Sequence, residues 1–244
     1  MNPVIAGITL RQLLSRRRTI LLLLLGGVMV LVALIVRLAG DTSRSDEFTA
    51  GILANVGVAT LMPLVALLFG TGAIGSELED GTAVFLLAKP ISRTTILLTK
   101  LAVAAGCSVL IACLPTFLAG MLGAGGLGGG LVLGFTLATA IGSIIYTALF
   151  VALSLITSRA LVFGLGYVLV WEGLLSGLFA GTRTFSVRQH TLAFADALTD
   201  VPGSVFRAEL EPLTAVIVGG LVLVAATVIA IRRLTAIEIA GETA

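Results

Sequence analysis

The sequence predicts an all-α integral membrane protein, and three observations carry that reading. Of 244 residues, 58% are apolar and only 11% charged, with a mean hydropathy of +1.15. A soluble domain carries roughly 25% charged residues. Long apolar runs recur between short polar breaks. Lys and Arg collect in alternate breaks. A water-soluble fold of this size leaves too much surface in water to hide so much apolar material. A soluble enzyme, a nucleic-acid-binding domain and a disordered tail are excluded.

The elements follow in order. Asn2 and Pro3 read as an N-cap and a first helical residue. Ala6, Leu10, Leu13 and Leu14 then share a face, with Arg11, Gln12, Ser15 and Arg16 opposite. That pattern predicts an amphipathic helix over 1–18 on the cytoplasmic membrane surface, although Val4 to Ile8 fit the stripe poorly; a topology signal held by three arginines is the alternative. The first apolar run, 19–36, follows Arg16, Arg17 and Arg18. It is too long for a signal-peptide core and no small-x-small cleavage site follows, so it reads as an uncleaved span. Further spans are predicted at 52–75, 96–122, 131–157, 160–180 and 213–231. A span needs roughly 20 apolar residues. The six make one transmembrane domain over 1–244. Pro63 and Pro115 each remove a backbone donor and predict kinks, a packing role being the alternative.

Six spans put both termini on one side. If that side is the cytoplasm, its segments hold ten basic residues: Arg11, Arg16, Arg17, Arg18, Lys89, Arg93, Lys100, Arg159, Arg232 and Arg233. Five face outward: Arg37, Arg44, Arg183, Arg188 and Arg207. The excess orients the chain by the positive-inside rule. The expected location is the plasma membrane, with both termini cytoplasmic.

The connections differ in character. Gly123 to Gly130 is a glycine-rich turn without the Lys-Ser or Lys-Thr of a phosphate-binding loop. The exterior stretch 181–212 carries Phe185, His190, Phe194, Val201 and Phe206, too apolar for a solvated loop. It predicts short helices re-entering the outer leaflet before the sixth span. Cys107 and Cys113 lie about 9 Å and roughly 240° apart on a helix, so they cannot bond to each other and read as core residues.

The loop 76–95 is the first candidate working segment. Ser76 and Glu79 form a capping-box pattern, predicting a short helix that starts there. Pro90 ends the next apolar stretch and Ser92 can cap the third span. Phe85, Leu86 and Leu87 beside Glu77, Glu79 and Asp80 offer an apolar knob flanked by acids, a surface suited to a partner protein, the alternative being a solvated loop whose leucines rest on the membrane.

Glu172 is the second candidate. It stands twelve residues after Ala160, about 18 Å into a span, where a charge costs about 3 kcal/mol or more. It must be protonated, paired or beside water. Substrate pathway and proton coupling are the functional readings. A structural hydrogen bond to a neighbouring helix or a second subunit is the other.

The cytoplasmic loop carries a resemblance. Glu77, Glu79 and Asp80, Gly81-Thr82, Leu86-Leu87, Pro90-Ile91-Ser92-Arg93 and Lys100 resemble the loop after the second span in permease subunits of ABC-2 type ATP-binding-cassette transporters. The N-terminal basic helix, the six-span plan, the long exterior stretch and the segment from Tyr167 through Trp171-Glu172 to Gly181 are similar too. The resemblance implies a half-transporter. A second permease chain, identical or related, would complete the pathway, and two copies of a separate ATPase would carry ATP and Mg2+. It implies docking of that ATPase on Arg11, Arg16, Arg17 and Arg18, and on Glu77, Glu79, Asp80, Gly81, Thr82, Phe85 and Leu86. The chain holds no Gly-x4-Gly-Lys-Ser/Thr sequence, so it cannot supply the ATP site itself; no cofactor, metal, catalytic residue or nucleic acid is expected in this chain. Export by alternating access is the expected activity. The alternatives are a non-transporting membrane partner of an ATPase and a proton-coupled secondary transporter. The latter normally shows paired repeats, which this chain lacks. An intramembrane enzyme would need partners that Glu172 does not have in the sequence.

Overall fold

The computed structural model describes residues 2–14, 17–39, 45–79, 91–127, 130–178, 180–199 and 202–236. Among them all regular structure is helical. Five helices are long and apolar enough to cross a membrane.

Helix α1 covers Pro3–Leu14. Asn2 caps it as predicted, its Oδ1 accepting from the Val4 amide at 3.0 Å. The face that packs is Ile5, Thr9 and Leu13, one position round from the predicted stripe. Leu10 and Leu14 are exposed, as are Val4 and Ile8. The helix is apolar on more than one side, so its protein-facing stripe could not be chosen by hydrophobicity alone.

Helix α2 is Arg17–Leu38. Helix α3 runs over Ser45–Ile52, widens into a π-helical stretch at Leu53–Leu61 and resumes over Met62–Glu79. Pro63 cannot donate to the turn before it. The helix meets this by relaxing its ladder just upstream, where the Met62 amide bonds the Gly57 carbonyl, five residues back. Helix continues through Ser76 to Glu79, so no new helix starts at Ser76. Nothing in the preceding residues breaks the ladder, and a capping box needs a break in front of it.

Helix α4 is Arg93–Ala124, capped by Ser92, whose Oγ accepts from the Thr95 amide at 3.3 Å. The helix continues around Pro115. The proline ring sits where Gly26 of α2 leaves room, since a Cβ there would lie 2.5 Å from its Cγ. Helix α4 ends in a left-handed Gly125 at φ 72°, with Arg37 of α2 against it. Helix α5, Leu131–Ile156, stands at the centre and packs on α3, α4 and the two helices that close the chain.

Small residues let these helices meet closely, as expected where lipid provides no hydrophobic drive for association. Gly70 of α3 faces Phe150 and the Thr147 carbonyl, and Gly75 faces Ser154. Thr147 Oγ1 donates to Ser108 Oγ at 3.0 Å, joining α5 to α4. Cys107 and Cys113 are free thiols on α4.

The predicted fifth span is helix α6, an apolar 16-residue stretch over Ala160–Leu175 with a short extension, Ser176–Leu178. Its second half, Tyr167–Leu175, is π-helical. A 3-10 turn at Ala180–Phe185 leads to α7, Val187–Leu198. Helix α7 lies antiparallel to the first half of α5. Its Thr191 presses on Gly142, and Leu198 and Thr199 press on Gly134. Most of α7 is buried, although it is the most polar of the long segments between α6 and the end of the chain. Helix α8, Pro212–Thr235, closes the fold with proline in its first turn.

Candidate functional site

The end of the bundle that carries α1 is tied by polar contacts. Lys100 lies two turns into α4 and is 1% exposed. Its Nζ donates to Glu77 Oε1 at 2.6 Å and to the Ala73 carbonyl at 2.9 Å. Ala73 and Glu77 are one turn apart, so a single ammonium grips the last turn of α3. A cation there also meets the negative end of the helix dipole. A buried pair of this kind is costly to form and costlier to break, because removing one partner strands the other charge.

Helix α1 rests on the same corner. The Asn2 amide donates to Thr99 Oγ1 at 3.3 Å, beside Lys100. A cleft of about 210 Å³ between Ile5, Ile8, Thr9, Glu77 and Lys100 separates α1 from the ion pair. Arg93 reaches the last turn of α8, donating to the carbonyls of Leu234 at 3.2 Å and Thr235 at 3.1 Å. The first turns of α4 therefore collect the end of α3, the start of α1 and the end of α8.

The predicted docking residues divide on this frame. Arg11 is exposed on the last turn of α1. Glu77 is half-buried and engaged by Lys100. Arg17 and Arg18 open α2 and Glu79 ends α3, with side chains outside the described residues. Arg16, Asp80, Gly81, Thr82, Phe85 and Leu86 also lie outside them. Sequence reasoning counted Lys100 as a cytoplasmic charge and missed its burial. The signal was present: Lys100 has Leu97, Leu98 and Leu101 around it, and a charge in an apolar stretch calls for a partner.

A second polar centre lies in the middle of the bundle. Glu172 is 1% exposed. Its Oε1 accepts from the Tyr167 hydroxyl at 2.9 Å and from the Val187 amide at 2.9 Å. Its Oε2 accepts from the Ser186 hydroxyl. Ser186 caps α7 and in turn accepts from the Gln189 amide at 3.1 Å. The carboxylate thus completes the N-terminus of α7, where free amides and the helix dipole favour an anion. Tyr167 meets Phe150 edge-on at 6.3 Å, and Phe150 stacks on Tyr146 at 5.7 Å. His190 Nε2 bonds the Thr184 carbonyl at 2.8 Å, bracing the turn before α7.

Among the described residues three donors of this chain reach the Glu172 side chain. The donors at Ser186 and Val187 are fourteen and fifteen residues away, across a turn that the sequence did not position. Tyr167, five residues before Glu172, stands out in the sequence only through its resemblance to the family. Among the described residues no His, Cys, Asp and Glu group could hold a metal ion.

No curated protein matches the chain. A family model described as ABC-2 family transporter protein matches residues 4–236, from the first turn of α1 to the last residue described. The match includes the corner built by Glu77, Arg93 and Lys100 and the centre built by Glu172, so the chain belongs to the ABC-2 transporter family and is an integral membrane permease component rather than an ATPase.

Proposed function

We propose that this permease is one half of the membrane pathway of an ATP-driven exporter. It pairs with a second permease chain, identical or related, and with two ATPase subunits that hold ATP and Mg2+. Helix α6 and the inward-dipping α7 together provide a sixth crossing, with both termini cytoplasmic. The observation that carries the reading is the Lys100–Glu77 pair beneath α1. It fastens α3 to α4 next to the loop 80–90, so a push on that loop or on α1 moves two spanning helices together. Arg11, Arg16, Arg17 and Arg18 and the loop residues Glu79, Asp80, Gly81, Thr82, Phe85 and Leu86 form the docking surface. Glu77 supports it from inside, through Lys100. For Glu172 the three intrachain donors support a positioning role at the head of α7 over direct contact with cargo.

Co-purification tests this. The chain with Phe85→Asp should insert normally and lose its ATPase partner, since one buried aromatic anchor carries on the order of 2 kcal/mol or more. Full recovery of the ATPase, with transport-linked hydrolysis intact in liposomes, would remove the loop as the docking element. Topology is tested by single cysteines at Asp80 and Asp200 in a chain lacking Cys107 and Cys113. Labelling of both by an impermeant reagent on intact cells would end the six-crossing arrangement.

A further inference from the structure

At the end of the bundle away from α1, the start of α3, the α7 region and the segment before α8 enclose an open polar cavity of about 520 Å³. Three arginines line it: Arg183, Arg188 and Arg207. Arg183 is committed to Glu209, at 2.7 Å. The other two are not committed. Arg188 is half-buried and its Nε has no hydrogen-bond partner among the described residues. Arg207 is exposed and makes no ion pair among them. Glu47 lines the same cavity, yet neither arginine pairs with it. Two guanidinium groups from different segments therefore line one cavity, and among the described residues neither is paired with an acid, although Glu47 and Glu209 also line it. Keeping a half-buried guanidinium unpaired is unfavourable, and its planar fork matches the oxygens of a phosphate.

A second cleft, also about 520 Å³, adjoins the first through the shared residues Glu47 and Gly51. It is predominantly apolar and is lined by Phe48, Ile52 and Val56. A polar cavity with spare positive charge thus opens onto an apolar groove along α3. We propose that this pair of cavities binds a phosphate-bearing anion between Arg188 and Arg207. The source is either an anionic phospholipid, whose acyl chain lies along Phe48 and Val56, or a free phosphate ester. Glu47 sits at the junction, where its negative charge disfavours the phosphate and leaves the arginine side as the binding side.

The test uses the full chain in a neutral detergent and needs no ATPase, so its failure leaves the exporter reading untouched. Binding of short-chain phosphatidylglycerol, glycerol 3-phosphate and phosphate-free diacylglycerol is measured by calorimetric titration. The wild-type chain should bind phosphatidylglycerol and reject diacylglycerol. Arg207→Gln and Arg188→Gln should each weaken binding about tenfold, roughly the value of one charge-assisted hydrogen bond. Arg207 is exposed, so its variant tests the idea even if Arg188→Gln unfolds. Phe48→Ser should weaken the lipid and leave glycerol 3-phosphate unchanged. Tighter binding of phosphatidylglycerol than of glycerol 3-phosphate identifies a lipid site, and equal binding identifies a site for soluble phosphate esters. Equal binding of diacylglycerol, no binding of either phosphate compound, or wild-type affinity in Arg207→Gln overturns the proposal.

Discussion

Two acids, Glu77 half-buried and Glu172 buried, organise this molecule, and they are satisfied in opposite ways. Glu77 is held by a full opposite charge on another long helix. Glu172 is held by two hydroxyls and one amide, with no cation bonded to it among the described residues. The first arrangement joins two rods near their ends. The second closes a turn onto the head of α7. An ion pair concentrates its strength in one partner, whereas a carboxylate with three neutral donors spreads it, so the two centres should fail differently.

The largest effect is expected at the ion pair. Lys100→Met should destabilise the fold by about 3–5 kcal/mol, because it removes the opposite charge bonded to Glu77 in a largely buried pair. Lys100→Met with Glu77→Leu should recover most of that loss. Thermal unfolding in detergent reads both, and equal loss in the single and double variants would show that packing, not charge, decides this corner. Glu172→Leu should come next. It leaves the Tyr167 and Ser186 hydroxyls and the Val187 amide without an acceptor, and the first such group alone costs roughly 1–3 kcal/mol. Glu172→Gln keeps one carbonyl oxygen for Tyr167 and Val187 and can donate to Ser186, so it should cost no more than about 1 kcal/mol. Protection of α7 amides in hydrogen exchange should fall in the Leu variant and hold in the Gln variant. Equal protection in both would mean that α7 does not depend on the carboxylate.

Gly142→Val tests the packing that holds α7 in place. The new side chain would meet Thr191 and, at 2.7 Å, the Met62 sulfur. Overpacking of this kind costs about 1–3 kcal/mol, and the loss should appear in α7 exchange before global unfolding. The smallest effect belongs to Ser92→Ala, which removes the α4 cap and should cost about 1 kcal/mol. A shift in melting temperature larger than that of Gly142→Val would reverse the ranking of the two ends.

The contrast also marks what a single chain of letters can carry. Local signals were legible: Asn2 and Ser92 cap where they were read to cap, and five long helices match apolar runs. The capping pattern at Ser76 misled because it is a local signal without the break it needs. Glu172 was read as a buried acid needing a partner, and it has three. Their identity was hidden because Ser186 and Val187 reach it only through a turn whose path the sequence does not encode by period. The Lys100–Glu77 pair was hidden for a similar reason. It joins positions 23 apart, and which of several charges meets Glu77 depends on how α3 and α4 pack through Gly and Ala faces. The face of α1 was ambiguous because apolar residues surround that helix.

The contacts gathered by the first turns of α4 carry a consequence in time. Thr99 binds Asn2 across 97 positions, and Arg93 binds the carbonyls of Leu234 and Thr235 across 141 and 142. A ribosome delivers the chain from its N-terminus, and parts made early wait for parts made late. Helix α1 can settle once α4 has emerged, but the clasp from Arg93 to α8 closes only after residue 235 has been made. The Glu77–Lys100 pair can therefore form well before the clasp that Arg93 makes with α8, and a chain interrupted before α8 lacks that clasp.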